Sequence, residues 1–238
     1  MKLEKDSMQK ILLVDDEPQI VRILRTSLSS QGYSLSVAAN GIEGMVAVRD
    51  WQPDLVITDL SMPKMGGVEF CRQLREISEV PVIVLSVSNN EPTKVEALNA
   101  GADDYVTKPF SIQELYARIR VQLRRRPAHQ QSEAKRVLSV GDFCIDVAQH
   151  RVAVRGQIIR LTPLQFDLLV CFAQHAGQLL THRVILQDVW GLDQDRPEYV
   201  RVHIGQLRKK IEISDAPQYI VTEPWIGYRF CADGKSYL

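Results

Sequence analysis

The sequence predicts two domains, an α/β domain built on a parallel sheet followed by a smaller α+β domain. In the first half, short apolar runs alternate with amphipathic stretches, which is typical of buried parallel strands and their covering helices. In the second half, strand-like segments come first, helices follow, and a hairpin ends the pattern. With 238 residues, of which 45% are apolar and 24% charged, the chain is long enough for two cores and is not disordered as a whole.

Five strands are predicted in the first half. They are four-residue runs, the second and fifth weaker than the others, at 11–14, 35–38, 55–58, 82–85 and 104–107. Between them, apolar side chains recur at helical spacing, as in the series Ile20, Leu24 and Leu28. We therefore expect a five-stranded, parallel, doubly wound domain over residues 8–124.

The pattern ends at three consecutive arginines and Pro127, and the polar segment that follows has too little apolar content to pack. We expect residues 125–135 to be a linker and residues 136–238 to form the second domain. Residues 1–123 contain 13 Lys/Arg and 17 Asp/Glu, a net charge of −4, whereas residues 133–238 contain 13 and 12, a net charge of +1. An acidic domain joined to a mildly basic one predicts two different tasks.

Two expectations concern the surroundings of the protein. No apolar run reaches the roughly 18 residues that cross a bilayer, and the N-terminus is too polar for a secretory signal. We therefore expect a cytoplasmic protein without a membrane partner. The four cysteines lie far apart, without disulfide-framework or metal-ligand spacing, so that neither a disulfide nor a zinc role is expected.

Polar side chains follow four of the predicted strands. Asp15 and Asp16 follow the first strand, Asp59 the third, Ser86 the fourth and Lys108 the fifth. Because the carboxyl ends of parallel strands meet at one edge of a sheet, we expect these groups to lie together. Oxygen ligands of this kind suit Mg²⁺ with a phosphate partner. The alternative is that the acids only solvate the ends of loops.

The composition of this pocket indicates a type of chemistry. Neither G-x-G-x-x-G nor G-x-x-x-x-G-K-[ST] occurs, so the sequence has no dinucleotide cradle and no P-loop. A carboxylate beside Mg²⁺ and a lysine instead favours covalent phosphoryl transfer to Asp59. Mg²⁺ and Lys108 would neutralise the charge on the phosphoryl oxygens.

Residues 8–124 resemble the receiver domain of bacterial response regulators. The resemblance rests on VDDE after the first strand, TDLSMPKMGG after the third, LS after the fourth and GADDYVTKPF around the fifth. It implies that a sensor histidine kinase phosphorylates Asp59. It also implies that Asp16, Asp59 and the carbonyl of Ser61 bind Mg²⁺, while Asp15 acts mainly through water.

The same resemblance assigns roles around the phosphoryl group. Lys108 would contact it, and Lys108–Pro109 would be a cis peptide, which proline permits. Ser86 and Tyr105 match the hydroxyl and aromatic switch pair of the family. Two positions depart from the family pattern, since Val87 replaces a small residue and Ser61 replaces a more common apolar one.

Two other functions are weighed against this one. A haloacid-dehalogenase-type phosphatase also combines an aspartate nucleophile, Mg²⁺ and lysine, but it needs a second aspartate where this chain has Ser61. A receiver that works constitutively or by protein binding, without phosphorylation, is the other alternative. The complete set of acidic, hydroxyl and lysine side chains argues against it.

Residues 197–212 predict an amphipathic helix with a basic face. Its apolar stripe comprises Val200, Ile204, Leu207 and Ile211. Basic groups on the other side are the electrostatic pattern of a helix that enters a DNA groove. A solvated, charged surface helix is the alternative that this pattern alone leaves open.

Residues 136–238 resemble the winged-helix DNA-binding domain of the OmpR/PhoB subfamily, through LTPLQFDLL, LLTHRVILQDVWG, VRVHIGQLRKKIE and IGYRF. The resemblance implies that the last helix enters the major groove of promoter DNA and that the terminal hairpin is a wing against the minor groove. The implied DNA contacts are Arg201, His203, Gln206, Arg208, Lys209, Thr222 and Tyr228. Pro224 and Trp225 stand where the subfamily has a wing-tip arginine. The TEPWIGYR segment is most similar to the branch that regulates potassium-transport genes.

The resemblance further implies that activation produces a symmetric homodimer, with RNA polymerase as another possible partner. We expect Lys94 to pair with Glu114, and Asp104 with Arg118, across the two-fold axis. Because exposed ion pairs contribute roughly 0–1 kcal/mol each, the dimer is expected to be weak until DNA completes it.

Overall fold

The computed structural model describes residues 8–124, 137–191, 196–212 and 219–234, and the predicted linker at 125–135 lies outside these ranges. The chain divides into two compact units, Met1–Leu123 and Arg124–Leu238, and each unit has its own buried core. Within the described ranges, no helix is both long and apolar enough to cross a membrane.

The first unit is a parallel sheet covered by helices. Its strands are β1 (Lys10–Val14), β2 (Ser34–Ala38), β3 (Leu55–Asp59), β4 (Val82–Ser86) and β5 (Asp104–Thr107). Its helices are α1 (Pro18–Ser30), α2 (Gly41–Trp51), α3 (Gly67–Ile77), α4 (Glu91–Asn99) and α5 (Ile112–Arg124). The spatial order of the strands is β2-β1-β3-β4-β5, so that the chain reverses direction across the sheet between β1 and β3. Ligands of such sheets bind at this reversal, beyond the carboxyl ends of the strands.

Burial on both faces explains why the strands of this sheet show little alternation. Ile11 and Leu13 pack in one cluster with Leu24 of α1 and Ile119 of α5. Leu12, on the opposite face of β1, is also fully buried. The predicted five-stranded sheet is confirmed, and each predicted strand lies within one residue of the observed one.

The second unit combines two antiparallel sheets with three helices. The first sheet contains β6 (Val137–Val140), β7 (Phe143–Asp146), β8 (Arg151–Val154) and β9 (Gln157–Ile159). The helices are α6 (Pro163–Gln174), α7 (His182–Trp190) and α8 (Pro197–Ile211). The second sheet has the order β10 (Leu179–Thr181), β12 (Gly227–Phe230) and β11 (Ile220–Glu223), and the β11–β12 hairpin is hereafter called the wing. The predicted α+β class and terminal hairpin are confirmed.

Local sequence signals fix the position of α6, the first helix of this unit. Thr162 caps it by accepting a hydrogen bond from the backbone N–H of Gln165 at 3.2 Å. The Gln165 side chain accepts in return from the backbone N–H of Thr162 at 3.1 Å. This reciprocal capping box satisfies two backbone donors that the helix itself cannot pair.

Candidate functional site

Side chains at the ends of three strands of the first unit form an acidic pocket. Asp59 ends β3, Asp15 follows β1, and Lys108 follows β5. The Nζ atom of Lys108 lies 2.7 Å from Oδ1 of Asp59 and 3.2 Å from Oδ2 of Asp15. It also lies 3.0 Å from Oε1 of Glu17. One ammonium group therefore contacts three carboxylates, which it cannot neutralise alone.

The electrostatics of the pocket follow from its burial. Burial raises the pKa of Asp15, although a hydrogen bond from the backbone of Glu17 and the nearby Lys108 act in the opposite direction. For Lys108, burial alone would lower the pKa, but its hydrogen bonds to Asp59 and Glu17 outweigh burial and raise it. Lys108 therefore remains an ammonium group throughout the ordinary pH range.

Backbone contacts hold Asp59 at the mouth of the pocket. The N–H of Ser61 donates a hydrogen bond to Oδ2 of Asp59 at 2.6 Å. Gly67, at the start of α3, passes so close to the Asp59 carbonyl that a Cβ atom would lie 2.1 Å from its oxygen. The glycine thus allows α3 to begin directly against the end of β3.

Both predicted switch residues are engaged with Ser88. The hydroxyl oxygen of Ser86 accepts a hydrogen bond from the N–H of Ser88 at 3.2 Å. The hydroxyl of Tyr105 donates to the carbonyl of Ser88 at 2.7 Å, and the tyrosine is 1% exposed. The aromatic ring therefore already points inward in this structure, whereas the neighbouring Val87 is largely exposed.

The predicted metal ligands separate into two groups. Oxygens of Asp15, Glu17 and Asp59 lie within 4.8 Å of one another. Asp16 is exposed, and its carboxylate is not part of that cluster. Ser61, which is predicted to bind through its backbone carbonyl, is also exposed. Glu17, which the sequence analysis did not single out, belongs to the cluster. The Lys108–Pro109 peptide is cis, as predicted.

Three of the four predicted dimer residues, Asp104, Glu114 and Arg118, form an ion-pair network inside one chain. Arg118 contacts both carboxylate oxygens of Asp104 at 2.9 Å, and it contacts Oε1 of Glu114 at 2.8 Å. Arg118 and Asp104 are buried, and Glu114 is exposed. A pairing of Asp104 with Arg118 across a dimer axis would have to replace or share this contact.

In the second unit, α8 separates a broad buried side from a basic exposed side. The predicted stripe is buried throughout, at Val200, Ile204, Leu207 and Ile211. Tyr199 and His203 are buried beside it, and each ring packs against Trp190, with centroids 6.2 and 5.5 Å away. Arg201 and Lys209 are exposed on the other side, and Gln206 is partly exposed.

Arg208 joins the basic helix to the wing. Its guanidinium donates to the carbonyl of Ile220 at 3.1 Å and to the hydroxyl of Thr222 at 2.8 Å. It also lies over the ring of Tyr228, 5.8 Å from the centroid. Gly227 packs against the carbonyl of Leu180 so closely that a Cβ atom would lie 1.9 Å from the oxygen. The wing is therefore fixed to β10 on one side and to α8 on the other.

The tip of the wing exposes a large aromatic side chain. Trp225 is fully exposed and has a φ of +68°, a left-handed conformation that favours glycine. The turn closes through the N–H of Ile226, which donates to the carbonyl of Glu223 at 3.1 Å. With Pro224 in its second position and a positive φ in its third, this turn has the pattern of a type II turn.

Comparison with known proteins matches a different family to each unit, one to the unit with the acidic pocket and one to the unit with the basic helix. Residues 11–120 match the family described as response regulator receiver domain, and residues 156–230 match transcriptional regulatory protein, C terminal. The DNA-binding response regulator MtrA of Mycolicibacterium smegmatis is 41% identical over 93% of this chain and 96% of its own. The KDP operon transcriptional regulatory protein KdpE of Escherichia coli is 43% identical over 94% of this chain and 99% of its own. The crystal structure of DrrB, an OmpR/PhoB homologue from Thermotoga maritima, is 31% identical with a TM-score of 0.51, covering 94% of this chain and all of that one.

The chain belongs to the OmpR/PhoB-type response regulators. This response regulator controls transcription through its DNA-binding domain, and its two domains imply a sensor kinase and DNA as partners. The fold, family and general function predicted from the sequence are therefore confirmed.

Two of the predicted DNA contacts of this response regulator need correction. His203 is 1% exposed and packs in the core, because α8 is buried over more than one helical stripe where it meets α6 and α7. Tyr228 is also buried, below Arg208 and against the edge of His182. Both rings therefore lie inside the domain rather than on its surface. Thr222 is exposed but is bonded to Arg208.

Proposed function

We propose that Asp59 of this response regulator accepts a phosphoryl group from a sensor histidine kinase. The observation that carries the proposal is the 2.7 Å contact between Lys108 Nζ and Asp59 Oδ1 in a pocket that also contains Asp15 and Glu17. In the transfer, a carboxylate oxygen of Asp59 attacks the phosphorus of the kinase phosphohistidine. An O–P bond forms while the P–N bond breaks, and the imidazole leaves with the bonding electron pair. Lys108 then balances negative charge on the phosphoryl oxygens.

The donor set of the pocket fits Mg²⁺, because carboxylate oxygens of Asp15, Glu17 and Asp59 lie close together and Mg²⁺ prefers oxygen ligands. We assign Asp16, Asp59 and the carbonyl of Ser61 as its ligands, with Asp15 acting through water, as the family resemblance implies. When bound, Mg²⁺ neutralises charge on the phosphoryl oxygens. Asp16→Asn is therefore expected to raise the Mg²⁺ concentration needed for phosphorylation more than Glu17→Gln does.

Acetyl phosphate provides a direct test of phosphorylation. The full chain is incubated with acetyl phosphate and Mg²⁺ and separated on a Phos-tag gel. We expect a retarded band for the wild type and for Asp50→Asn, which removes an exposed carboxylate from α2 and leaves the pocket intact. Asp59→Ala should give no retarded band, and removal of Mg²⁺ with a chelator should abolish the band. A band that does not depend on Asp59 would overturn the proposal.

The same experiment separates the alternative functions. A receiver that works without phosphorylation would show no retarded band and would bind DNA equally well with and without acetyl phosphate. A phosphatase would release phosphate continuously from small phosphomonoesters. The phosphorelay proposal instead predicts at most one phosphoryl group per chain and tighter DNA binding afterwards.

Ser86 is the proposed link between phosphorylation and the conformational switch. A phosphoryl group adds close to two negative charges and three acceptor oxygens, to which the Ser86 hydroxyl can donate. Such a charge-assisted hydrogen bond contributes about 1.5–3 kcal/mol, whereas a change from 1:99 to 99:1 requires about 5.5 kcal/mol. The remainder must come from Lys108 and from a new contact between protomers.

For that contact we propose a symmetric homodimer, formed by α4, β5 and α5, in which Lys94 pairs with Glu114. The Asp104–Arg118 pair would contribute across the axis only after its intrachain contact rearranges. Sedimentation of the full chain with and without acetyl phosphate tests the proposal, with Lys94→Glu expected to weaken only the phosphorylated dimer. Equal sedimentation of both forms up to the highest concentration would exclude activation by dimerisation.

We further propose that α8 reads the major groove of promoter DNA through Arg201, Gln206 and Lys209, and that the wing contacts the minor groove. The exposed basic side of α8 and its attachment to the wing through Arg208 support this arrangement. Because the target is promoter DNA, we assign the protein to the cytoplasm, with RNA polymerase as a further partner on the promoter.

The target genes we propose are those of potassium transport. Support comes from the 43% identity to a relative named for the KDP operon, although the identity to MtrA is 41%. Capture of genomic fragments on the phosphorylated protein tests this assignment. Recovery of a potassium-transport promoter is expected, and recovery only of unrelated promoters would overturn it.

A further inference from the structure

A second cluster of metal-binding side chains lies in the DNA-binding unit, far along the chain from the acidic pocket. Cys171 and His175 are four residues apart at the end of α6, and Asp188 is on the neighbouring helix α7. Ligand atoms of the three side chains lie within 4.8 Å of one another. The Sγ atom of Cys171 is 3.9 Å from Oδ2 of Asp188.

The orientation of His175 leaves one ring nitrogen available. Its Nδ1 atom is 2.9 Å from the carbonyl oxygen of Cys171. Because a carbonyl oxygen only accepts hydrogen bonds, Nδ1 must be the protonated nitrogen of the neutral ring, and Nε2 carries a lone pair. Among the described residues, none forms a hydrogen bond with Nε2. Metal-binding histidines commonly donate their other N–H to a backbone carbonyl in this way.

We propose that Cys171, His175 and Asp188 form a zinc site, with water as the fourth ligand. One sulfur, one nitrogen and one oxygen donor suit Zn²⁺, which binds all three ligand types, and disfavour Mg²⁺, which prefers oxygen alone. Two ligands at positions i and i+4 of a helix lie on one face of it, an arrangement that zinc sites use. The half-exposed His175 and the exposed Asp188 give an ion access from solvent.

Zinc binding at this site releases a proton. The thiol of Cys171 forms a Zn–S bond, and its proton passes to solvent. The affinity for Zn²⁺ is therefore expected to increase with pH.

The site would join two helices that support the DNA-binding surface. α7 packs against both α6 and α8, so an ion held between α6 and α7 would stabilise the packing beneath α8. This site was not predicted from the sequence, because the ligands do not follow a short cysteine spacing and the third comes from another helix.

Cobalt and zinc titrations of the full chain test the proposal. Saturating Mg²⁺ is present throughout to occupy the acidic pocket. Co²⁺ is expected to give a thiolate-to-cobalt charge-transfer absorption band, and Zn²⁺ at one equivalent should remove it. Competition with a chromogenic chelator should give one tight Zn²⁺ site per chain. Absence of the charge-transfer band would overturn the proposal.

Matched variants assign the ligands. Cys171→Ser should abolish the band, whereas Cys144→Ser, which alters an exposed cysteine, should leave it unchanged. Asp188→Asn changes an exposed side chain and should not affect folding, so it separates loss of a ligand from loss of structure. We expect it and His175→Gln to weaken Zn²⁺ binding at least tenfold. Unchanged affinity in both variants, or loss of the band in Cys144→Ser, would also overturn the proposal.

Discussion

Arg118 holds both carboxylate oxygens of Asp104 at 2.9 Å within one chain. Both residues are buried, and Arg118 reaches Glu114 at the same time. The pair therefore fixes α5 to β5 inside the receiver domain. These two elements belong to the surface for which we propose dimer formation. A buried ion pair costs desolvation when it forms, but loss of one partner leaves the other charge buried and unpaired.

We expect Arg118→Ala to lower the free energy of unfolding of the receiver domain by about 3–5 kcal/mol, because Asp104 then loses its bidentate partner. Urea unfolding of the full chain, followed by circular dichroism, measures the change. Arg120→Ala, which removes an exposed arginine two residues away on α5, should change stability by less than about 0.5 kcal/mol. Equal stabilities of the two variants would contradict a structural role for the Arg118 pair.

We expect loss of Arg201 to affect DNA binding alone, and loss of Arg208 to affect both DNA binding and stability. Arg201→Ala should weaken promoter binding several-fold without changing the thermal stability. It should also reduce the slope of log affinity against log salt concentration by about one. Arg208→Ala should weaken binding and also lower the melting temperature, because its guanidinium joins α8 to Ile220 and Thr222 of the wing. Gel-shift titrations at two salt concentrations, together with thermal unfolding, separate the two effects.

Arg25→Ala serves as the control for this comparison, since it removes one exposed arginine from the receiver domain. It should change neither DNA affinity nor salt dependence. Normal DNA binding by Arg201→Ala would show that α8 does not face DNA through this residue.

The strand ends made most of the acidic pocket predictable. The apolar runs determine where the strands lie. Parallel topology then brings Asp15, Asp59 and Lys108 to one edge of the sheet, independently of how the helices pack. The contact of Glu17 with Lys108 was not predictable in this way. Glu17 is the N-cap residue of α1 and has an extended backbone, with Pro18 fixing the helix start behind it. That local turn, rather than the periodicity of the strand, directs its side chain to Lys108.

Sequence periodicity was less informative for α8. One apolar stripe identified Val200 and Ile204 as core residues, and both are buried. A helix that packs on α6, α7 and the wing buries a wider sector than one stripe, so Tyr199 and His203 also lie inside. Aromatic and histidine side chains are ambiguous in such a pattern because they occur both in cores and at DNA interfaces. Tertiary packing alone resolved them.

His150 should make the stability of the DNA-binding domain depend on pH. Its ring stacks on Phe166 at 4.3 Å, and burial lowers its pKa from the ordinary value of 6.5. At pH values between the ordinary pKa of 6.5, which applies to the unfolded chain, and the lower pKa of the folded protein, the unfolded chain binds more protons than the folded one. The free energy of unfolding therefore decreases as the pH falls through this window. Because one histidine binds at most one proton, the free energy of unfolding changes by at most about 1.4 kcal/mol per pH unit.

The measurement is urea unfolding of the wild type and His150→Asn at about pH 5.5 and 7.5. Asparagine does not titrate and tolerates the positive φ of +50° at this position. The variant should lose the stacking contact at both pH values but show a smaller decrease in stability on acidification. Parallel pH profiles of the two proteins would show that His150 does not contribute.

Trp225 is expected to reduce stability while increasing DNA affinity, so its substitution should move the two quantities in opposite directions. A left-handed conformation costs a non-glycine residue about 1–2 kcal/mol, and the fully exposed ring recovers none of this by packing within its own chain. Trp225→Gly and Trp225→Asn should therefore raise the melting temperature of the domain, yet weaken promoter binding several-fold, because the wing loses its apolar contact with the minor groove. Using both variants separates relief of backbone strain from the added flexibility of glycine. If both variants gain stability and bind promoter DNA as tightly as the wild type, the exposed indole must serve a protein contact instead.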